Sequence, residues 1–158
     1  MTNKQSIIKI RPARLEELPT LLEFEQALIA YERPYAPNLT KEFFNYYDLE
    51  AYIKDPDVAV VVAEAEGVVV GSGYALIREN PHYKIPDTYV YLGFMYVVPS
   101  YRGMGINGEI LAYLFNWGKT KGYEEFQLTV YAENESAIKA YQKAGFEPEI
   151  LRMRINKG

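Results

Sequence analysis

The sequence predicts an α+β fold: a mostly antiparallel sheet of six to seven strands flanked by about four helices. Three observations carry this. Two β-branched runs, VAVVVAEA and VVVGSGYALIRE, are separated only by Glu66-Gly67, the pattern of a hairpin. The next strong strand, TYVYLGFMYVV, follows a coil containing Pro81 and Pro86 and no helix, so these strands run antiparallel. Helical spacing enters mainly before and after this block, which is not how a doubly wound parallel sheet begins.

Ile7 to Arg11 reads as a short first strand. LEELPTLLEFEQALIAYE then places Leu15, Leu18, Leu22, Leu28 and Ile29 near helical spacing, with Pro19 kinking or starting the helix. RPYAPN is a loop, after which Thr40 is placed to cap a second helix through KEFFNYYDLEAYIK that stops at Asp55-Pro56-Asp57. The hairpin and the TYVYLGFMYVV strand follow. Beyond a glycine loop, Ile106, Ile110, Leu114 and Trp117 mark one face of a helix ending at Lys121-Gly122. FQLTVY is a strand. Asn134 caps a last helix whose apolar face is Ala137, Ala140, Tyr141 and Ala144, with Gly145 as its C-terminal glycine. The alternating tail EILRMRIN is expected to close the sheet.

The chain has 158 residues, the length of one ordinary domain, expected to span residues 5–158. It carries 21 acidic and 17 basic residues, a net charge of -4, so the electrostatic footprint of a nucleic-acid binder is missing. The absence of cysteine excludes disulfides, a thiol nucleophile and thiolate metal sites. The one histidine, His82, sits alone in a polar stretch, and no metal is expected. The N-terminal stretch lacks the apolar core of a signal peptide, and the longest apolar tract is broken by Glu64, Glu66 and Gly67. A cytoplasmic protein without membrane partners is the expectation.

GMGING, Gly103 to Gly108, spells G-x-G-x-x-G between a strand and a helix. A dinucleotide fingerprint opens its domain, its first glycine ends the strand, and an acid ends the next strand about 20 residues on. Here Pro99 to Arg102 intervene, Glu124 and Glu125 precede the next strand, and too little chain follows Gly108. Glu133, which does follow that strand, is all that favours a dinucleotide. The loop's physics survives: glycines admit close backbone approach, and amides at a helix N-terminus form an anion cradle.

VVPSYRGMGIN, followed by NESAIKAYQKAGF, resembles the GNAT superfamily of acyl-CoA-dependent N-acyltransferases. The family signature Q/R-x-x-G-x-G/A falls on Arg102, Gly105 and Asn107, and N-x-x-A-x-x-x-Y-x-x-x-G-F on Asn134, Ala137, Tyr141, Gly145 and Phe146. The element order is similar over essentially the whole chain. The resemblance implies acetyl-CoA as acyl donor. The amides of Arg102, Gly103, Met104, Gly105, Ile106 and Asn107 would cradle its pyrophosphate. The backbone of Tyr96 and Val97 would pair with the pantetheine arm, in a splay between parallel neighbours TYVYLGFMYVV and FQLTVY. Asn134 would contact the pantetheine, besides serving as a plain helix cap. Tyr141 would stand near the thioester sulfur, unless it is simply a core aromatic. The family also suggests a homodimer through the last strand.

The implied reaction is transfer of an acetyl group to a primary amine by direct attack in a ternary complex, with Tyr141 assisting thiolate departure. A phenol of reference pKa about 10 can protonate a thiolate whose acid is near 8.5. An ammonium must first lose a proton, and many relatives place a carboxylate on the strand ahead of the tyrosine-valine pair. Here those positions hold Leu92, Gly93 and Phe94. Asn107 also departs from the usual small residue, and Gly93 suggests a bulge or close approach. Glu32, Tyr89, Tyr91 or a water chain are the candidates for the missing base. A non-catalytic acyl-CoA-binding module is the alternative. The resemblance places the acceptor, a small-molecule or peptide amine, along the first two helices and their loop, roughly Ala27 to Tyr52, together with the PHYKIPD loop; Tyr31, Tyr35, Phe43, Phe44, Tyr46 and Tyr47 there accompany Glu32, Glu42, Asp48 and Glu50.

Overall fold

The computed structural model describes residues 7–158. Residues 5 and 6 of the expected domain, and the N-terminal stretch read for a leader up to residue 6, lie outside the described residues. A single sheet of five strands, β1 (Ile8–Pro12), β2 (Ala59–Ala65), β3 (Val68–Glu79), β4 (Thr88–Val97) and β5 (Phe126–Gln127), has the spatial order β1-β2-β3-β4-β5. The first four strands pair antiparallel and β5 joins β4 in parallel. Four helices, α1 (Leu18–Glu32), α2 (Leu49–Lys54), α3 (Ile106–Thr120) and α4 (Glu135–Lys143), complete the fold. The antiparallel opening excludes a doubly wound sheet.

β2 shows why the layers form. Its alternation sends Val61, Ala63 and Ala65 to one face, where α3 covers them with Ile106, Ile110, Leu111 and Leu114. Val60 and Val62 go to the other face, against Leu21 and Phe24 of α1 and Leu49 of α2. Both faces of the strand are therefore buried, which explains its near-continuous valines.

Three expectations are corrected. Among the described residues the sheet has five strands, not six to seven: EILRMRIN joins no strand, leaving Ile150, Leu151, Met153 and Ile155 exposed, and FQLTVY stays on the ladder only for Phe126–Gln127. Alternation marks a candidate strand, but a strand exists only where a neighbour supplies the hydrogen bonds. The second helix starts at Leu49, capped by Asp48 Oδ1 accepting from Ala51 N–H, while Thr40 Oγ1 accepts from Glu42 N–H in a local turn. The buried face of α1 is Leu21, Phe24, Glu25 and Ile29, whereas Leu15 and Leu22 are exposed. A carboxylate on the buried face hid the true stripe. Pro19 lies in the first turn of α1, so it starts the helix and does not kink it.

The β3–β4 ladder shifts register between Ser72↔Tyr96 and Tyr74↔Gly93, so Phe94 and Met95 together oppose Gly73. This is a β-bulge, and Phe94 adopts φ 57°, rare for an aromatic residue. Ser72 Oγ–H donates to Phe94 C=O at 2.9 Å inside the core, and the Phe94 ring is 1 % exposed. Gly93 is part of the same device: a Cβ there would lie 2.6 Å from the Tyr74 ring. Gly93→Ala is expected to destabilise the protein by about 1–3 kcal/mol, the usual range for overpacking a filled core. Urea unfolding checks this, and an unchanged midpoint would contradict the packing described.

Candidate active site

β4 and β5 pair only at Val90↔Phe126 and Tyr91↔Gln127, while β4 runs on to Val97. Tyr91 Oη and Thr129 Oγ1, 3.0 Å apart, make the last bridge between the two chains. Beyond it, one edge of β4 is a strand edge without a strand. Val98 N–H bonds Val70 C=O toward β3, so by alternation Val97 faces the open edge. There Arg102 Nε–H donates to Val97 C=O at 2.9 Å. The Tyr96 ring lies 4.9 Å from the ring of Phe24 and 5.6 Å from the Arg102 guanidinium carbon.

The chain leaves β4 through a turn at Pro99–Tyr101, in which Arg102 N–H bonds Pro99 C=O at 3.3 Å. Gly103 and Gly105 both take φ 79°, a conformation open to glycine, and Gly105 caps α3 without help from any side chain. The amides of Ile106, Asn107 and Gly108 begin the helix and have no intrahelical partner. A Cβ placed at Gly103 or Gly108 would meet nothing within 4 Å, so the surface over this turn is open. Ile106 points the other way, into the core, and Met104 packs against that core. An open edge on β4 thus leads to an open, positively polarised helix start, which fits a ligand carrying an extended amide arm and a pyrophosphate.

α4 brings the second motif to the same end of the sheet. Asn134 is 6 % exposed; its Oδ1 accepts from Ala137 N–H and Ser136 Oγ–H, both at 3.3 Å, leaving its NH₂ as the donor side. Tyr141 packs edge-on to Phe146 at 5.8 Å, and Phe146 in turn meets Phe115 of α3. Burial pushes the Tyr141 phenol up to about 12, the Glu32 charge adds to this, and a hydrogen bond from Asn107 opposes it. The phenol therefore stays protonated throughout the neutral range. Asn107, the departure from the family pattern, is the neighbour of the Tyr141 hydroxyl.

The wall expected on the α1–α2 segment is in part realised. Phe44, Tyr46 and Tyr47 stack in sequence at 5.4 and 5.6 Å, and Tyr47 meets Phe94 at 5.6 Å. Two residues of α1 pin this ladder: Glu25 Oε2 accepts Tyr47 N–H at 2.9 Å, and Gln26 Nε2–H donates to Phe44 C=O at 2.8 Å. Phe43 points outward, and Tyr31 faces Tyr35. Asp48 is spent as a helix cap, Glu50 pairs with Lys54 and Glu42 is exposed, while the charge of Glu32 reaches Tyr46. A concavity of about 430 Å³ nearby is lined by Arg33, Ala36, Pro37, Leu39 and Lys41, a cationic setting unsuited to an ammonium.

Sequence reasoning missed Ser72, Glu25 and Tyr131. Tyr131, at the end of FQLTVY, is a polar neighbour of Tyr46. Glu25 was hidden inside an apparently amphipathic helix, and Ser72 inside a small-residue run, GSG, that reads as mere packing. Among the described residues no group of acids and histidines is set to hold a metal, and no helix is long and apolar enough to cross a membrane.

Comparison with known proteins agrees with this geometry. The chain is 31% identical over 101 residues to an aminoglycoside N(6')-acetyltransferase type 1 of Salmonella typhimurium, covering 63% of this chain and 70% of that protein. It is 28% identical over 148 residues to a thialysine N-epsilon-acetyltransferase of Mus musculus, covering 87% and 82%. Its fold matches the structure of a predicted acetyltransferase with acetyl-CoA from Clostridium acetobutylicum at TM-score 0.69 and 16% identity, over 94% of this chain and 96% of that one. The profile of the Acetyltransferase (GNAT) family matches residues 23–146. With that profile matching most of its length, this chain belongs to the GNAT acetyltransferase family.

Proposed function

We propose that this protein transfers the acetyl group of acetyl-CoA to the primary amine of a small molecule or peptide, by direct attack in a ternary complex. One observation carries the reading: a protonated Tyr141 phenol stands at the end of a sheet whose β4 edge opens toward the helix start at Gly105.

Acetyl-CoA supplies an acyl group activated as a thioester. The amides at Gly103 to Asn107 would hold its pyrophosphate, joined by the Arg102 region, and Val97 would offer backbone groups to its amide arm, the adjacent Tyr96 backbone being turned to β3. For Val97 this requires Arg102 to release the carbonyl it now holds. Asn134 would add its NH₂. The residues' own tasks follow from acidity. Tyr141 keeps its proton at neutral pH and can give it, or a hydrogen bond, to a departing sulfur. Asn107 orients that hydroxyl and moderates its proton affinity. The relatives' acceptors, an aminoglycoside and a thialysine by their names, are amines on polar, cationic molecules. The ring ladder from Phe44 to Tyr47, with an acid beside it, suits an acceptor of that chemistry.

Thiol release from acetyl-CoA, measured against a panel of primary amines, tests the reading. Tyr141→Phe is expected to lower kcat by about 10²-fold, within the range for a positioned acid, while acetyl-CoA affinity stays near that of the parent. Tight acetyl-CoA binding without turnover of any aminoglycoside, polyamine or lysine-like amine would favour the binding module. Asn107→Ala is expected to lower kcat several-fold with the acetyl-CoA Kd unchanged, and to have no further effect in the Tyr141→Phe background, because the two side chains act as one unit. Equal losses in both backgrounds would contradict the coupling.

A further inference from the structure

Past Tyr91 one edge of β4 has no strand beside it, and Val97 is the residue whose backbone faces that edge. Its carbonyl is nonetheless engaged. Arg102, five residues on, sends its side chain back along the strand, where Nε–H donates to Val97 C=O at 2.9 Å. We propose that Arg102 makes binding of the donor's amide arm conditional on the donor's phosphates: the guanidinium masks the Val97 carbonyl, and a phosphate seated at the glycine turn draws it away. Arg102 is then a specificity-determining residue that favours a full CoA thioester over a bare pantetheine thioester. This rests on the acetyl-CoA reading of the site above.

The mask sits where an extended ligand would bind. An amide arm joins a sheet edge through main-chain hydrogen bonds. A carbonyl oxygen can accept twice, but a planar guanidinium whose Nε lies 2.9 Å away fills the space along the edge in which the arm would lie. The Tyr96 backbone cannot substitute, being turned to β3.

Arg102 is held there by neutral groups. Besides the Val97 carbonyl it meets the Tyr96 ring, its guanidinium carbon 5.6 Å from the ring centre, and among the described residues no carboxylate pairs with it. A charge-assisted, bidentate bond to phosphate is stronger than one bond to a carbonyl, so a phosphate within reach captures the guanidinium.

The phosphate position is adjacent in the chain. Arg102 leaves the Pro99–Tyr101 turn in extended conformation, φ -72° and ψ 151°, with its own N–H tied to Pro99 C=O at 3.3 Å. Gly103 and Gly105 follow at φ 79°, and the surface over Gly103 is open. The Arg102 backbone is thus fixed between the β4 edge and the start of α3, and only its exposed side chain has to turn. Rotamer changes of exposed side chains are fast. The two parts of the donor therefore bind cooperatively, and by linkage each strengthens the other to the same degree.

Binding constants for acetyl-pantetheine, which lacks the phosphates, and for acetyl-CoA test this in the parent and in Arg102→Ala, by calorimetry or NMR titration without an acceptor. In the parent, inorganic pyrophosphate is expected to tighten acetyl-pantetheine binding about 2- to 10-fold, the range set by the one hydrogen bond exchanged. In Arg102→Ala, acetyl-pantetheine is expected to bind more tightly than in the parent by a similar factor, and pyrophosphate to add nothing. Acetyl-CoA is expected to bind that variant about tenfold more weakly, for loss of a charged phosphate contact. Opposite signs for the two donors are what a mask requires. Weaker acetyl-CoA binding with acetyl-pantetheine unchanged makes Arg102 a plain phosphate ligand, and weakening of both makes it a support of the strand; either overturns the proposal. Independent binding of pyrophosphate and acetyl-pantetheine to the parent overturns it as well. A parent that binds neither donor overturns the acetyl-CoA reading and this one together, whereas absence of turnover with every amine counts against the transferase reading alone, the signs above still deciding this one.

Discussion

The Ser72 hydroxyl bonded to the Phe94 carbonyl, with Phe94 held at a left-handed φ, is the constraint on which the site depends. A regular β4 would stay in register with β3 and could pair along its whole length with β5. The bulge inserts one residue, turns the strand, and changes which backbone groups after Gly93 face each side. Past the bulge the Val97 backbone faces the open edge, while the Tyr96 backbone turns to β3. The strain is sustained because the surrounding core over-determines it: the Phe94 ring is buried against Tyr47, Gly93 leaves room for Tyr74, and Tyr74 is itself bracketed by Tyr47 and Tyr52.

The aromatic side of the sheet has a second use. Rings from Phe44 to Tyr74 form one packed body, and the phenols within it are raised by burial and by one another's and nearby carboxylate charges. In such surroundings a carboxylate and a phenol hold their protons more tightly than in water. The burial that keeps Tyr141 protonated also raises the proton affinity of Glu32. The packing that closes the core thereby raises the proton affinity of both groups.

Much of this was legible in the sequence. The hairpin at Glu66-Gly67, the β-branched runs and the spacing of Ile106, Ile110 and Leu114 gave the sheet and its covering helix, because period and turn chemistry are local properties. The motif positions Arg102, Gly105, Asn134 and Tyr141 came from a family resemblance and not from periodicity. What stayed hidden depended on partners distant in the chain. Alternation in EILRMRIN promised a strand that has no ladder to join. Glu25 broke the helical stripe of α1 because its carboxylate accepts from an amide twenty-two residues away. Tyr131 and Ser72 acquire meaning only from Tyr46 and Phe94, which no spacing rule connects to them. Phe94 itself carries no sequence mark of its backbone conformation, though its neighbour Gly93 hinted at a bulge.

The most direct measurement is amide hydrogen exchange with and without acetyl-CoA. The account predicts that peptides spanning Leu92 to Val97 and Gly103 to Gly108 gain protection on binding, while those from β1 and β2 do not change. Protection confined to other segments, with the β4 edge and the α3 start unaltered, would contradict the claim that the bulged strand and the glycine turn form the acetyl-CoA site.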